Sequence, residues 1–276
     1  MKIRRIGAPV QEGCDLPGSA FAIKALQLEG MLFDAVVDIV TREESEGEIL
    51  HLNTLIDFLT RLKQEVKETH ESDDFPLIFG GDHSLAIATI SAGDNRGRGV
   101  LWIDAHGDCN THLSSLSKRI HGMPLAIAQG HGHPRLLAIT EGNDVDPARI
   151  LLVGIRSLDE TEEILMHTWG LKWITQTEID TRGFAWATHE VEAFLKQQTD
   201  IHLSFDCDSL DPAVCPGVST PASQGLMPHQ ALELVALAFD TTHVSSMDIV
   251  ELNPLFDNGQ TIALVLEMDK LVQRKI

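Results

Sequence analysis

The sequence predicts a three-layer α/β sandwich built on a mainly parallel, doubly wound sheet. Three observations lead there. Short apolar runs, several of them β-branched and without alternation, suit parallel strands buried on both faces. Longer segments between them space their apolar residues at the helical period. Glycine and proline mark the ends of the runs, at Gly80-Gly81, Gly154 and Pro216-Gly217.

Taken in chain order, residues 2–6 (KIRRI) and 33–39 (FDAVVDI) are the first strand candidates. Residues 50–67 form the clearest helix, with Leu52, Leu55, Ile56, Leu59, Leu62 and Val66 recurring every three or four positions. A strand at 76–79 (PLIF) precedes a helix at 84–91, and a strand follows at 99–103 (GVLWI). Residues 149–153 and 172–174 are strands flanking a helix at 161–169. The rest alternates in the same way: helix 185–196, strand 200–205, helix 228–239, strand 244–249 and helix 261–274. Such alternation belongs to βαβ units around one parallel sheet.

At 276 residues and 43% hydrophobic content the chain can bury an ample core, which suits a single domain over residues 1–276. Acidic residues outnumber basic ones 41 to 21, a net charge of −20, which argues against nucleic-acid or anionic-membrane partners and favours cations. The acidic stretch 42–48 (REESEGE) reads as a solvated loop. Cys14, Cys109, Cys207 and Cys215 form no CxxC pair, so a disulfide framework is not expected. No long apolar segment or signal-peptide pattern is present, and a cytoplasmic location is expected.

In a doubly wound sheet, ligands collect beyond the carboxyl ends of the strands. Three strand ends carry polar clusters: Asp82-His83-Ser84, then Asp104, His106 and Asp108, then Asp206, Asp208 and Asp211. A strand has period two, so Asp104 and His106 are expected to point one way, as are Asp206 and Asp208. Cys109 and Cys207 should then face away, with Cys207 in the core. Asp82 reads as a cap or a supporting group. One D-x-H after a strand is commonly a helix cap; three such clusters at strand ends call for another explanation. Asp104, Asp108, Asp206 and Asp208 would repel one another in a partly buried crevice unless protonated or bound to cations. Two divalent ions would balance those four charges. An oxygen-rich set with only His83 and His106 as imidazoles favours Mn²⁺, with Co²⁺ or Ni²⁺ as possible substitutes.

The ordered motifs GGDHS, DAHGD, SFDCDSLDP with a following TP, and MDIVELNP resemble those of the arginase–agmatinase (ureohydrolase) family, across essentially the whole chain. The resemblance implies an α/β sandwich with a binuclear Mn²⁺ site. One metal would be held by His83, Asp104, Asp108 and Asp206, the other by His106, Asp104, Asp206 and Asp208, with Asp104 and Asp206 bridging. Within the family, DAHGDCNTHLSSLSKRIHGMPLA is most similar to bacterial arginases. That likeness implies that Asn110 and Ser117 contact an amino-acid carboxylate and that Asp159 and Glu162 grip the α-amino group. It also implies that Thr220 lines the substrate site, that Glu251 receives the guanidinium, and that Asp108 and His121 move protons. The implied reaction releases urea from a small guanidino substrate, L-ornithine being the second product if that substrate is L-arginine.

The sequence departs from the arginase pattern at His112 (Pro there), Lys118 (Gly), Arg119 (Asn) and Ser219 (Gly). Arg119 could receive the substrate carboxylate as a bidentate fork, or point to solvent or block part of the pocket. The alternatives to an arginase are agmatinase, guanidinobutyrase, formimidoylglutamase or a non-catalytic metal-binding scaffold. Family resemblance also implies a homo-oligomer, a trimer or hexamer.

Overall fold

The computed structural model describes residues 2–44, 47 and 49–276, so the acidic stretch 42–48 lies partly outside the described residues. The elements run β1 (Ile3–Ala8), α1 (Ala22–Leu28), β2 (Ala35–Val36), α2 (Leu52–Glu71), β3 (Phe75–Gly80), α3 (Ala86–Ser91) and β4 (Gly99–Ile103). They continue through α4 (Pro124–Ala128), α5 (Pro134–Thr140), β5 (Ile150–Ile155), α6 (Glu160–Trp169), β6 (Lys172–Thr175), α7 (Gln176–Arg182) and α8 (Phe184–Leu195). The last four are β7 (Asp200–Asp206), α9 (Pro228–Thr241), β8 (His243–Val250) and α10 (Gln260–Lys275).

Among the described residues eight strands form one sheet in the order β2-β1-β3-β8-β7-β4-β5-β6, every pair parallel. Each expected strand is present, but the expected strand 33–39 is reduced to two paired residues at the sheet edge. β3, β4 and β5 are buried along their whole length, as strands covered on both faces must be. Helices α1, α8, α9 and α10 cover one face, where Leu101, Ile103, Leu203, Phe205, Met247 and Ile249 join the largest apolar cluster. Cys207 sits in that core, as expected.

The other face carries two separate apolar clusters. One joins β1 and β3 to α2, whose buried stripe is Leu55, Phe58, Leu59, Leu62 and Val66. The other joins β4 and β5 to α3, α4 and α6. Between them, the central strands β7 and β8 turn His202, Ser204, Ser246 and Asp248 to this face by period-two alternation, all fully buried. A polar seam therefore divides the apolar layer.

Local chemistry explains the helix ends near the site. Asp159 caps α6 by accepting from the Glu162 amide at 2.8 Å, and Gly170 ends the helix in a left-handed conformation. Gly81, just past β3, has no room for a side chain: a Cβ there would lie 1.5 Å from the Val10 carbonyl oxygen. This close approach lets Asp82 donate its amide to Val10 and Glu251 donate its own to Gly81. The loops after β1, β3 and β8 are thereby tied together.

Candidate metal centre and substrate cleft

β3 and β4 are consecutive in the chain but separated in the sheet by β8 and β7. Order reversal of this kind opens a crevice at the carboxyl ends. Four strand ends deliver the predicted residues into it: His83 after β3; Asp104, His106 and Asp108 after β4; Asp206 and Asp208 at β7; Glu251 after β8.

His83 is fully buried and stacks on Trp102 with ring centroids 4.0 Å apart. Its Nδ1 lies 3.1 Å from Asp104 Oδ2, 3.1 Å from Asp108 Oδ2 and 2.9 Å from Asp206 Oδ2. None of these contacts is directed as a hydrogen bond, and Nδ1 is an orphaned buried atom. Ligand atoms at right angles about 2.1 Å from one ion stand about 3.0 Å apart, so the spacing is that of donors around a cation. Among the described residues two donor groups gather in this way, His83 with Asp104 and Asp108, and His106 with Asp104 and Asp208, the ligand atoms of each group within 4.8 Å of one another. Asp104 belongs to both. Asp206 reaches the first group through Oδ2, while its Oδ1 accepts from the Asp208 amide at 2.6 Å. The residues present fit a pair of divalent cations.

The strand period is not what aligns these pairs. β4 ends at Ile103 and β7 at Asp206, so both partners lie past the strands: His106 in an isolated parallel bridge to Ser157, Asp208 in a single 3-10 turn. Both are held by the carboxylates themselves: Asp104 Oδ1 accepts from the His106 amide at 2.7 Å. Asp82 is a cap, accepting from the Ser84 and Gly13 amides. Asp108 and Glu251 both occupy left-handed backbone, with φ of 48° and 61°.

The electrostatics match the crowding. Burial, then the Asp104 charge, pushes Asp108 up to about 6. Burial also pushes Asp206 well up, with Asp208 and Asp104 adding to it. For His83, burial disfavours the charged form, but the surrounding carboxylates more than reverse this. His121 is likewise raised to about 9: burial opposes its charge and Glu251, 3.6 Å away, overcomes the burial.

A cleft of about 340 Å³ opens over this floor. It is lined by His106, Asp108, Asn110, His121, Asp159, Glu162, Asp206, Asp208, Thr220 and Glu251. His83 and Asp104 are fully buried and do not line it. Thr220 donates to Asp208 Oδ2 at 2.9 Å. Asn110 donates to Asp159 Oδ2 at 3.0 Å, and Glu162 accepts from the Cys109 amide at 2.9 Å. Burial pushes Glu162 up to about 8. Glu251 is 1% exposed; Oε1 accepts from the His83 amide, and Oε2 has no partner.

Two predicted substrate residues are not brought into the cleft. Ser117 is exposed and lies 3.4 Å from Ser115. Arg119 directs its Nε to Asp15 at 2.6 Å. Lys118 holds a left-handed φ of 59° and donates its ammonium to the His112 carbonyl.

A family model for the arginase family matches residues 2–270. The chain belongs to the arginase family. The arginase of Bacillus subtilis (strain 168) is 36% identical over 282 residues, covering 95% of both chains. The structure of the Bacillus caldovelox arginase superposes with a TM-score of 0.92 at 32% identity, covering 98% of this chain and 97% of that one. The Entamoeba histolytica arginase, solved in complex with L-ornithine, gives a TM-score of 0.88 at 28% identity over 99% of each chain. The chain is accordingly an enzyme of the ureohydrolase type, acting on guanidino C–N bonds.

Membership leaves several supporting residues of this arginase-family chain to the structure alone. Trp102 donates to Asp104 Oδ2 at 2.9 Å. Arg156 donates to the carbonyls of Asp208, Leu210 and Ala222, holding the turn that carries Asp208. Ser204, Asp248 and His202 lie behind His83. The signal for them was the period of two: Trp102 shares a face with Asp104, and His202 and Ser204 share one with Asp206. Among the described residues no helix is long and apolar enough to cross a membrane.

Proposed function

We propose that the chain hydrolyses L-arginine to L-ornithine and urea with a pair of Mn²⁺ ions held by His83, Asp104, His106, Asp108, Asp206 and Asp208. The observation that carries this reading is Glu251 Oε2: a buried carboxylate oxygen without a partner, on a residue that lines the cleft over the metal floor. A guanidinium satisfies it with a charge-assisted hydrogen bond.

When bound, two divalent cations lower the pKa of water, so that a nucleophile is available near neutral pH, and draw charge from the reacting centre. The chain's own residues do the rest. Glu251 holds the guanidinium and orients its carbon over the floor. Asp108, which lines the cleft, accepts a proton on its carboxylate and returns it to the leaving amine. His121, beside Glu251 and lining the cleft, exchanges protons with solvent. Asp159 and Glu162 sit at the cleft wall where an α-ammonium would be received, and Asn110 is beside them. Support for an amino-acid substrate also comes from the L-ornithine complex of the Entamoeba histolytica arginase.

The test is product release from the Mn²⁺-loaded protein with L-arginine, agmatine, guanidinobutyrate and guanidinopropionate. Urea from L-arginine at the highest kcat/KM is expected. No urea from any of them, with formamide from formimidoylglutamate, overturns the reading. A protein inert to all five, with and without metal, points to a scaffold.

A further inference from the structure

The polar seam behind the floor contains more buried polar groups than the chemistry above uses. His83 Nε2 lies 2.8 Å from Ser204 Oγ, and Ser204 donates to Asp248 Oδ1 at 2.5 Å. Because that hydroxyl proton goes to a carboxylate, Ser204 must accept from His83, which places the His83 proton on Nε2. The other Asp248 oxygen lies 3.0 Å from His202 Nε2 and 2.6 Å from Thr89 Oγ1. His202 Nδ1 lies 2.7 Å from Ser246 Oγ, and Ser246 Oγ accepts from the Arg98 guanidinium.

Direction follows from donor chemistry together with the partners at hand. A guanidinium only donates, and among the described residues the one acceptor within reach of the Ser246 hydroxyl proton is His202 Nδ1, so Ser246 donates to it. His202 then carries its single proton on Nε2 and gives it to Asp248. Arg98 is 2% exposed, and His202, Ser204, Ser246 and Asp248 are each 0% exposed, so no solvent intervenes.

We propose that Arg98 and His202 are positioning residues for His83. A one-way chain of hydrogen bonds runs from Arg98 through Ser246 and His202 to Asp248 and holds Asp248 as a full carboxylate acceptor. Through Ser204 that carboxylate reserves the Nδ1 lone pair of His83 for a divalent cation. Arg98 lies on the loop before β4, so a residue at the opposite end of that strand from the cleft sets the state of a ligand. The role rests on the reading of His83 as a metal ligand; the direction of the chain does not.

Two measurements separate these. In ¹⁵N-histidine NMR, His202 is expected neutral at pH 7 with its proton on Nε2. A proton on Nδ1, alone or with Nε2, overturns the direction. Metal binding is then compared for the wild type, Ser246→Ala, Ser246→Thr and Arg98→Met by Mn²⁺ titration calorimetry. Ser246→Ala removes only a hydroxyl and is expected to weaken one of two ions by roughly tenfold, at the lower end of such supporting contacts, with Ser246→Thr restoring it. Arg98→Met is expected to do the same. Unchanged affinity, or equal loss at both ions, overturns the role. A wild type that binds no divalent ion overturns the metal reading and the role together, while the His202 signal still decides the direction.

Discussion

Arg119 Nε donates to Asp15 Oδ1 at 2.6 Å, tying the loop after β4 to the loop after β1. The guanidinium is thus occupied by a carboxylate of the chain itself, and Arg119 does not line the cleft. Arg119→Asn is therefore expected to leave the KM for L-arginine within about twofold. Its cost to stability should be small, about 0–1 kcal/mol, because Asp15 is 62% exposed. Steady-state kinetics and a denaturant melt check both; a KM rise of tenfold would place Arg119 on the substrate.

Glu251→Gln keeps an oxygen for the His83 amide but removes the charge offered to a guanidinium. The kcat/KM is expected to fall on the order of 100-fold or more, the scale for losing one strong contact to the reacting group. Metal content should stay at the wild-type level. Kinetics with metal analysis of the same sample decide it, and parallel loss of metal would make Glu251 a support for the floor instead.

Asp206→Ala removes the oxygen 2.9 Å from His83 Nδ1. It is expected to lose metal and activity together, with about one ion or fewer per chain. Full metal content in the variant would remove Asp206 from the ligand set. Chelation of the wild type should lower its stability, since each ion at about 100 times its Kd contributes roughly 2.7 kcal/mol, about 5 kcal/mol for the pair. For a chain of this size that is on the order of 10–20 °C in Tm.

His70 offers a pH signature away from the cleft. Burial first, and the Arg98 charge second, push it down from 6.5 to about 4. The unfolded chain takes up this proton near pH 6.5 and the folded chain only near 4. Stability is therefore full above 6.5 and is lost as pH falls from 6.5 towards 4. His70→Gln lacks this titration. The Tm gap between variant and wild type should shift in the variant's favour between pH 7.5 and 5, and a constant gap would refute it.

The strands were legible because βαβ alternation leaves β-branched runs with punctuated ends, and the metal floor because its ligands follow those ends in short motifs. Helices α1, α4, α5 and α7 were not. They have 5 to 7 residues, too few turns to display a period, and α4 and α5 open on Pro124 and Pro134, which read as breaks. The strand 33–39 failed because an edge needs little pairing: Ile6 and Gly7 hold only Ala35 and Val36. Arg119 was ambiguous because its partner, Asp15, lies over 100 positions away in sequence. Arg98 was hidden in the same way, 148 positions from Ser246, and His202 by the 44 positions to Ser246, although the period-two neighbours of His202 on β7 were on view.

Asp108 and Glu251 both sit in left-handed backbone, a conformation that costs a side-chain-bearing residue about 1–3 kcal/mol. Glycine would relieve that strain at no steric cost, but at Asp108 it would also remove a proposed cation ligand, and at Glu251 the acceptor of the buried His83 amide. Heat resistance selected on metal-free protein therefore pulls Asp108 towards glycine, whereas selection on metal-loaded protein holds the carboxylate. Which residue survives there would report whether the ions were bound while the protein was selected.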